Sequence, residues 1–162
     1  ALSMGYELGI SPFMAIRHIV NVNGRPTMEA QMAIALANKR ANTKGPIRYE
    51  VTGDKEKMSC TAWVIDKETG DRVEYTLSMA DAKAAGWLSK SHSHWHKDPK
   101  LMLRYRSATY LIRTHYPEAL MGIYTTEETR EIEQSEALEE KEELQQVLNN
   151  KTRGEGEQGE PS

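Results

Sequence analysis

"IRYEVTGDKEKMSCTAWVIDKETGDRVEYTL", residues Ile47 to Leu77, holds three runs rich in β-branched and aromatic side chains: Ile47–Thr52, Met58–Asp66 and Arg72–Leu77. The connections, Gly53–Lys57 and Lys67–Asp71, are short and polar, and the second contains Glu68-Thr69-Gly70. Strands at this spacing join as hairpins, so the stretch predicts an antiparallel β-meander, three to four strands in all. In the middle run Cys60, Ala62 and Val64 alternate with Thr61, Trp63 and Ile65, which puts the two sets on opposite faces. Both sets carry apolar residues. One face should therefore meet helices and the other a different surface, such as a neighbouring subunit.

Upstream, Ser11-Pro12 reads as the N-cap and first position of a short helix. Ile19–Val22 then looks extended, and Asn23-Gly24 is a hairpin turn signal, since both residues tolerate positive φ. Thr27 reads as the cap of a further helix, Met28 to Lys39, apolar nearly all round and so expected to be buried. Gly45-Pro46 breaks the chain before the first strand. Downstream, Ser78-Met79-Ala80-Asp81 fits an acidic capping box for a helix that Gly86 stops. Asp98 and Pro99 open a long helix over 99–116, closed by Pro117, and residues 126–149 form a last helix. From Asn150 the Gly, Glu, Gln and Pro content reads as disorder. This order predicts an α+β fold with a long basic helix after the sheet, an acidic C-terminal helix and a disordered tail. The expected domains are 1–124, 125–149 and 150–162.

With 162 residues the chain can bury one real core. It opens at Ala1 on residues that read as the inside of a helix, so N-terminal elements are expected to be missing. No apolar run approaches the ~20 residues a membrane span needs. One cysteine, Cys60, excludes an internal disulfide and suits a reducing cytoplasm. The net charge of −3 is unevenly spread. Residues 125–162 hold twelve glutamates against Arg130, Lys141, Lys151 and Arg153, a net −8, which leaves +5 for residues 1–124. Such a split suggests a polyanionic partner.

The basic charge concentrates in 82–117, with seven Lys or Arg against Asp98 alone and four of the five histidines. His92, His94 and His96 alternate, but zinc needs three or four rigid ligands and no further Cys, Asp or Glu completes the set once Asp98 caps a helix. The body's other acids are scattered, mostly in turns, as at Asp54, Glu56, Glu68 and Asp71. Neither a two-metal nor an acid–base site is visible, and no catalytic residue or cofactor is assigned. On a helical wheel for 99–116, Leu101, Tyr105, Ala108, Ile112 and Tyr116 form a core stripe. Arg106 and Arg113 share one flank; Lys100 and Arg104 share the other. Neither flank has an acid three or four residues away in the helix, so something outside it should balance these charges. Phosphates are one candidate, and acids elsewhere in the fold are another. Trp95 could stack on an unpaired base or pack beneath the helix start. The histidines beside it should face the same ligand, because histidine gains charge between pH 8 and 6.

Four segments in order resemble the RecT-type phage single-strand annealing proteins. "GYELGISPFMAIRHIVNVNGRPTMEAQMAIALA" is similar to that family's glycine-punctuated helix, strand and Gly-x-Pro turn, with the helix after it. The meander sits where the family has its sheet, "YTLSMADAKAAGW" resembles its strand-to-helix junction, and "HWHKDPKLMLRYRSATYLIRTHYPEALMGIYTTEE" resembles its basic helix and closing aromatic-Pro. The likeness covers about Ala1 to Glu128. Ser93-His94 replaces a Gly-Pro that often precedes the family's tryptophan, and the histidine cluster has no counterpart there. The resemblance implies ATP-independent binding of single-stranded DNA and pairing of complementary strands. It also implies a ring or filament of identical subunits, work beside a phage exonuclease, no membrane, and a place in the bacterial host's cytoplasm. Arg17, Arg25, Trp95, Lys97, Lys100, Arg104, Arg106 and Arg113 are the expected nucleic-acid contacts. The alternatives are a non-annealing phage DNA-binding accessory protein or, from the same systems, a metal-dependent nuclease.

Overall fold

A computed structural model describes residues 2–156. It opens with two short helices, α1 (Leu2–Leu8) and α2 (Pro12–His18). Ser11 caps α2, its hydroxyl accepting the Met14 N–H at 3.3 Å, with Pro12 at the first helical position. The two helices touch where Gly5 meets Ala15, and any Cβ on Gly5 would collide with the Ala15 methyl. Strand β1 (Val20–Val22) then turns back into β2 (Arg25–Met28). Asn23 and Gly24 sit at φ 49° and 81°, the pair of positive values that a tight two-residue hairpin requires.

Here the expected helix boundary moves. Thr27 lies inside β2 and donates its hydroxyl to the Arg25 carbonyl at 3.1 Å. Helix α3 spans Ala30–Arg40, with Glu29 at the N-cap and no side-chain cap bond. Its burial is one-sided, through Ala30, Ala33, Leu36 and Ala37, because small residues let that face approach its neighbours closely.

The meander follows as β3 (Thr43–Thr52), β4 (Ser59–Asp66) and β5 (Arg72–Ser78), all antiparallel with β4 in the middle. β3 starts four residues earlier than the Gly-Pro break suggests. Gly45 adopts φ 85° and the register shifts between Lys44 and Arg48, a bulge on an edge strand where a proline lacking its N–H is tolerated. The Asn38 side chain of α3 accepts the Ile47 N–H at 2.9 Å. As the alternation predicts, Cys60, Ala62 and Val64 are buried, while Thr61, Trp63 and Ile65 stay part-exposed on the outer face.

Helix α4 (Met79–Ala84) begins with the expected capping box: Ser78 Oγ accepts the Asp81 N–H at 3.1 Å, and Asp81 accepts the Ser78 N–H at 2.8 Å. Gly86, at φ 78°, ends that segment. A single helical turn, α5 (His94–Lys97), leads into α6 (Pro99–His115), capped by Asp98 accepting the Leu101 N–H at 3.0 Å. α6 lies across the inner face of the meander, against β4, β5 and α3. Ala108, Ile112 and Tyr116 of the expected stripe are buried, but Leu101 is exposed. The buried surface is wider than a stripe, taking in Met102, Leu103, Arg106, Ser107, Thr109 and Leu111, since the sheet and the loops enclose the helix from two sides. A turn at Pro117–Ala119 returns the chain to β6 (Tyr124–Thr125), which pairs in parallel with β2, Thr27 opposite Tyr124.

The chain divides into two compact units, one ending at Thr126 and one starting at Glu127. Helix α7 spans Thr126–Gly156, continuing past Asn149, where the composition had suggested it would end. The rest of the expected disordered tail, residues 157–162, lies outside the described residues. No helix among the described residues is long and apolar enough to cross a membrane.

Candidate nucleic-acid interface

The basic segment folds as a ladder of aromatic rings with cations laid on them. Tyr75 of β5 stacks on Tyr110 of α6 at 5.1 Å, and Trp87 stacks on Trp95 of α5 at 5.2 Å. Arg106 links the two stacks, its guanidinium 4.2 Å from the Trp87 ring and 5.3 Å from that of Tyr110. Arg104 lies 5.8 Å over Tyr49 of β3, and Arg113 lies 5.9 Å over Tyr124 of β6. Every arginine of α6 thus rests on a ring. A planar, weakly hydrated guanidinium is well suited to such stacking. The ring faces attract these cations where the helix itself offers no acid.

The expected contacts separate by depth. Arg106 is buried at 2 % exposure, and Trp95 at 6 %, so Trp95 packs beneath the helix start and offers no open ring to a base. Arg113 is half-buried and donates to the Ile123 carbonyl. Arg104 is half-buried, and its Nε–H is enclosed with no acceptor among the described residues. Lys97 and Lys100 are exposed at the α5–α6 junction, and Lys83 on α4 and Lys90 in the loop before α5 are exposed as well. Arg17 is exposed on α2, and Arg25 is half-buried in β2. Two groups emerge: Lys97, Lys100 and Arg104 at the start of α6, and Arg25 with Arg113 where β2 meets β6.

The histidines do not line up. α5 is helical, so His94 and His96, two residues apart, diverge by about 200°. His96 Nε2 bonds the Leu88 carbonyl at 2.9 Å, tying the preceding loop to α5. No group of three His, Cys, Asp or Glu among the described residues could hold a metal ion.

Two side chains outside the expected set matter here. Tyr49 beneath Arg104 has its phenol pushed up to about 12, chiefly by burial and secondarily by Cys60, against the lowering effect of Arg104; it stays neutral and holds the arginine by its ring. On the outer face of the meander, Arg72 lies 4.5 Å over Trp63. Its guanidinium spans Glu50 at 3.0 Å through two bonds and Glu74 at 2.6 Å, which holds the Glu50 carboxyl below its ordinary range. The alternation along β4 already placed Trp63 outward. The cross-strand register that brings Arg72 over it follows from counting both hairpins.

No curated protein and no solved structure gives a significant match to the chain. A family model does, over residues 27–142, a span that includes the meander, the aromatic ladder and the whole of α6. By that match the chain belongs to the RecT family.

Proposed function

We propose that the chain binds single-stranded DNA and anneals complementary strands without ATP, in phage-type recombination within the bacterial host's cytoplasm. The observation that carries this reading is the exposure of Lys97 and Lys100 at the start of α6, with Lys83 and Lys90 exposed before it in sequence, in a segment whose only acid, Asp98, caps the helix. Lysines in solvent bind a phosphate backbone as movable point charges, without regard to sequence. Arg104, half-buried over Tyr49, adds a guanidinium whose Nε–H has no acceptor among the described residues. Arg25, Arg113 and Arg17 extend the path. Trp95 and Arg106 act from below, through the Trp87 ring against which both of them lie. The family membership supports assembly into a ring or filament and work beside an exonuclease that makes the single strand.

The test mixes complementary oligonucleotides, one labelled with a donor dye and one with an acceptor, with protein and without ATP. Pairing should be faster with protein than without. Tight binding with no acceleration would instead identify a non-annealing DNA-binding accessory protein.

A further inference from the structure

Trp87 is half-exposed, and its ring lies against two groups that are sealed from solvent, Trp95 and Arg106. The indole stacks on Trp95 with 24° between the planes and meets the Arg106 guanidinium at 4.2 Å. What holds it is stacking, on these two and, tilted at 6.4 Å, on Tyr110. The backbone around it is tied more firmly. The Trp87 N–H donates to the Ala82 carbonyl at 3.0 Å, and the Leu88 carbonyl is bonded to His96 Nε2 at 2.9 Å. The indole can therefore turn about its own side-chain bonds and leave the stack while the loop stays in place.

We propose that Trp87 is the lid of a nucleobase site: an unpaired base displaces the indole and stacks in its place on Trp95 and Arg106. The site rests on the single-strand binding proposed above and adds a contact with bases, where the lysines meet phosphates. A base is a flat π-system like the indole, so it returns a stacking partner to Trp95 and a ring face to Arg106. The displaced indole moves toward the solvent that already reaches it. Exposed lysines flank the site in sequence, Lys83 four residues before the lid, Lys90 three after it, and Lys97 two after Trp95. A base inside a duplex has both faces covered by its neighbours, so only an unpaired one can enter. As a strand pairs, its base withdraws into the duplex and the indole returns. The lid thereby separates an unpaired strand from a paired one.

The full chain labelled with 5-fluorotryptophan gives fluorine resonances from Trp63, Trp87 and Trp95, assigned with Trp87→Phe and Trp63→Phe. Three probes of equal length are added: an oligothymidine, an abasic strand with the same phosphates, and a blunt duplex. Oligothymidine should bind about tenfold more tightly than the abasic strand. It should move the Trp87 resonance toward its position in the urea-unfolded chain, shift that of Trp95, and leave that of Trp63. The abasic strand and the duplex should leave Trp87 as in the free protein. Trp87→Ala has no lid to open, so it should bind oligothymidine about tenfold more tightly than the parent and the abasic strand equally. If circular dichroism shows that variant unfolded, the fluorine spectra of the parent decide alone. Oligothymidine binding with an unmoved Trp87 resonance, equal movement with the abasic strand or the duplex, or a folded Trp87→Ala that binds no more tightly would each overturn the lid and leave single-strand binding standing. Failure of both single strands to bind would overturn the two together.

Discussion

The guanidinium of Arg106 lies 4.2 Å from the indole of Trp87 and is sealed from solvent by the ring stack around it. A basic residue in the most basic segment of the chain is therefore part of the core. Arg106→Ala should lower unfolding stability by about 2 kcal/mol or more. Arg106→Lys should recover little of this, because an ammonium cannot stack as a plane. Urea denaturation measures both. Trp95→Ala should behave alike, with a loss of about 3–5 kcal/mol.

Lys97 and Lys100 should show the opposite pattern. Alanine at either position leaves the urea midpoint unchanged and reduces the slope of log affinity against log salt by about 0.7 per lost phosphate contact on a single strand. Binding to an oligothymidine across a salt series reads this out. Slopes equal to the parent in both variants would remove the α5–α6 junction from the DNA path.

Gly5 predicts a steric effect with a specific rescue. Gly5→Ala drives a methyl into that of Ala15 and should cost about 1–3 kcal/mol through overpacking. Adding Ala15→Gly should restore much of the loss, which a defect in helix propensity alone would not allow. Thermal melts of the single and double variants distinguish the two.

Tyr116 at the end of α6 donates to Asp66 at 2.9 Å, and Asp66 also accepts the Glu68 and Thr69 N–H groups at 2.9 Å each. These bonds, that from Thr69 foremost, lower the Asp66 carboxyl below its ordinary value. Its stabilising share is present above the carboxyl's unfolded range and is lost as pH falls through the lowered value. The Tyr116 phenol is pushed up to about 12, first by burial and then by its bond to Asp66. Its share is complete below about 10, the unfolded value, and disappears as pH rises through about 12. Tyr116→Phe should cost about 1 kcal/mol near pH 7 and soften both limbs of a stability profile. The acid limb should persist in part, because the backbone donors to Asp66 remain.

Much of the meander was legible because its information is local. Alternation along β4 sorts Ala62 from Trp63 without reference to any other element, and Ser78 with Asp81 closes a cap within four residues. β6 was not legible, since two residues carry no period and its partner, β2, lies nearly a hundred positions away. The same distance hid Thr27, whose β-branched side chain is as suited to a strand as to a cap. In the candidate site, charge density marks the segment 82–117 but carries no information on depth. Arg106 and Lys100 look alike in a composition count. They are separated only by Trp87, whose place in the stack depends on a loop that carries no periodic signal.

Gly45 and Pro46 have a consequence beyond their bulge. β3 has no partner on its outer side among the described residues, and an unpaired strand is a template for another chain. Pro46 offers no N–H there, and the register shift between Lys44 and Arg48 breaks the regular row of donors and acceptors. Growth of the sheet from one copy into the next would stall at that step. This edge is thereby protected from fusing copies of the chain into fibres, and a contact between copies made there is left to side chains, where it can be reversed.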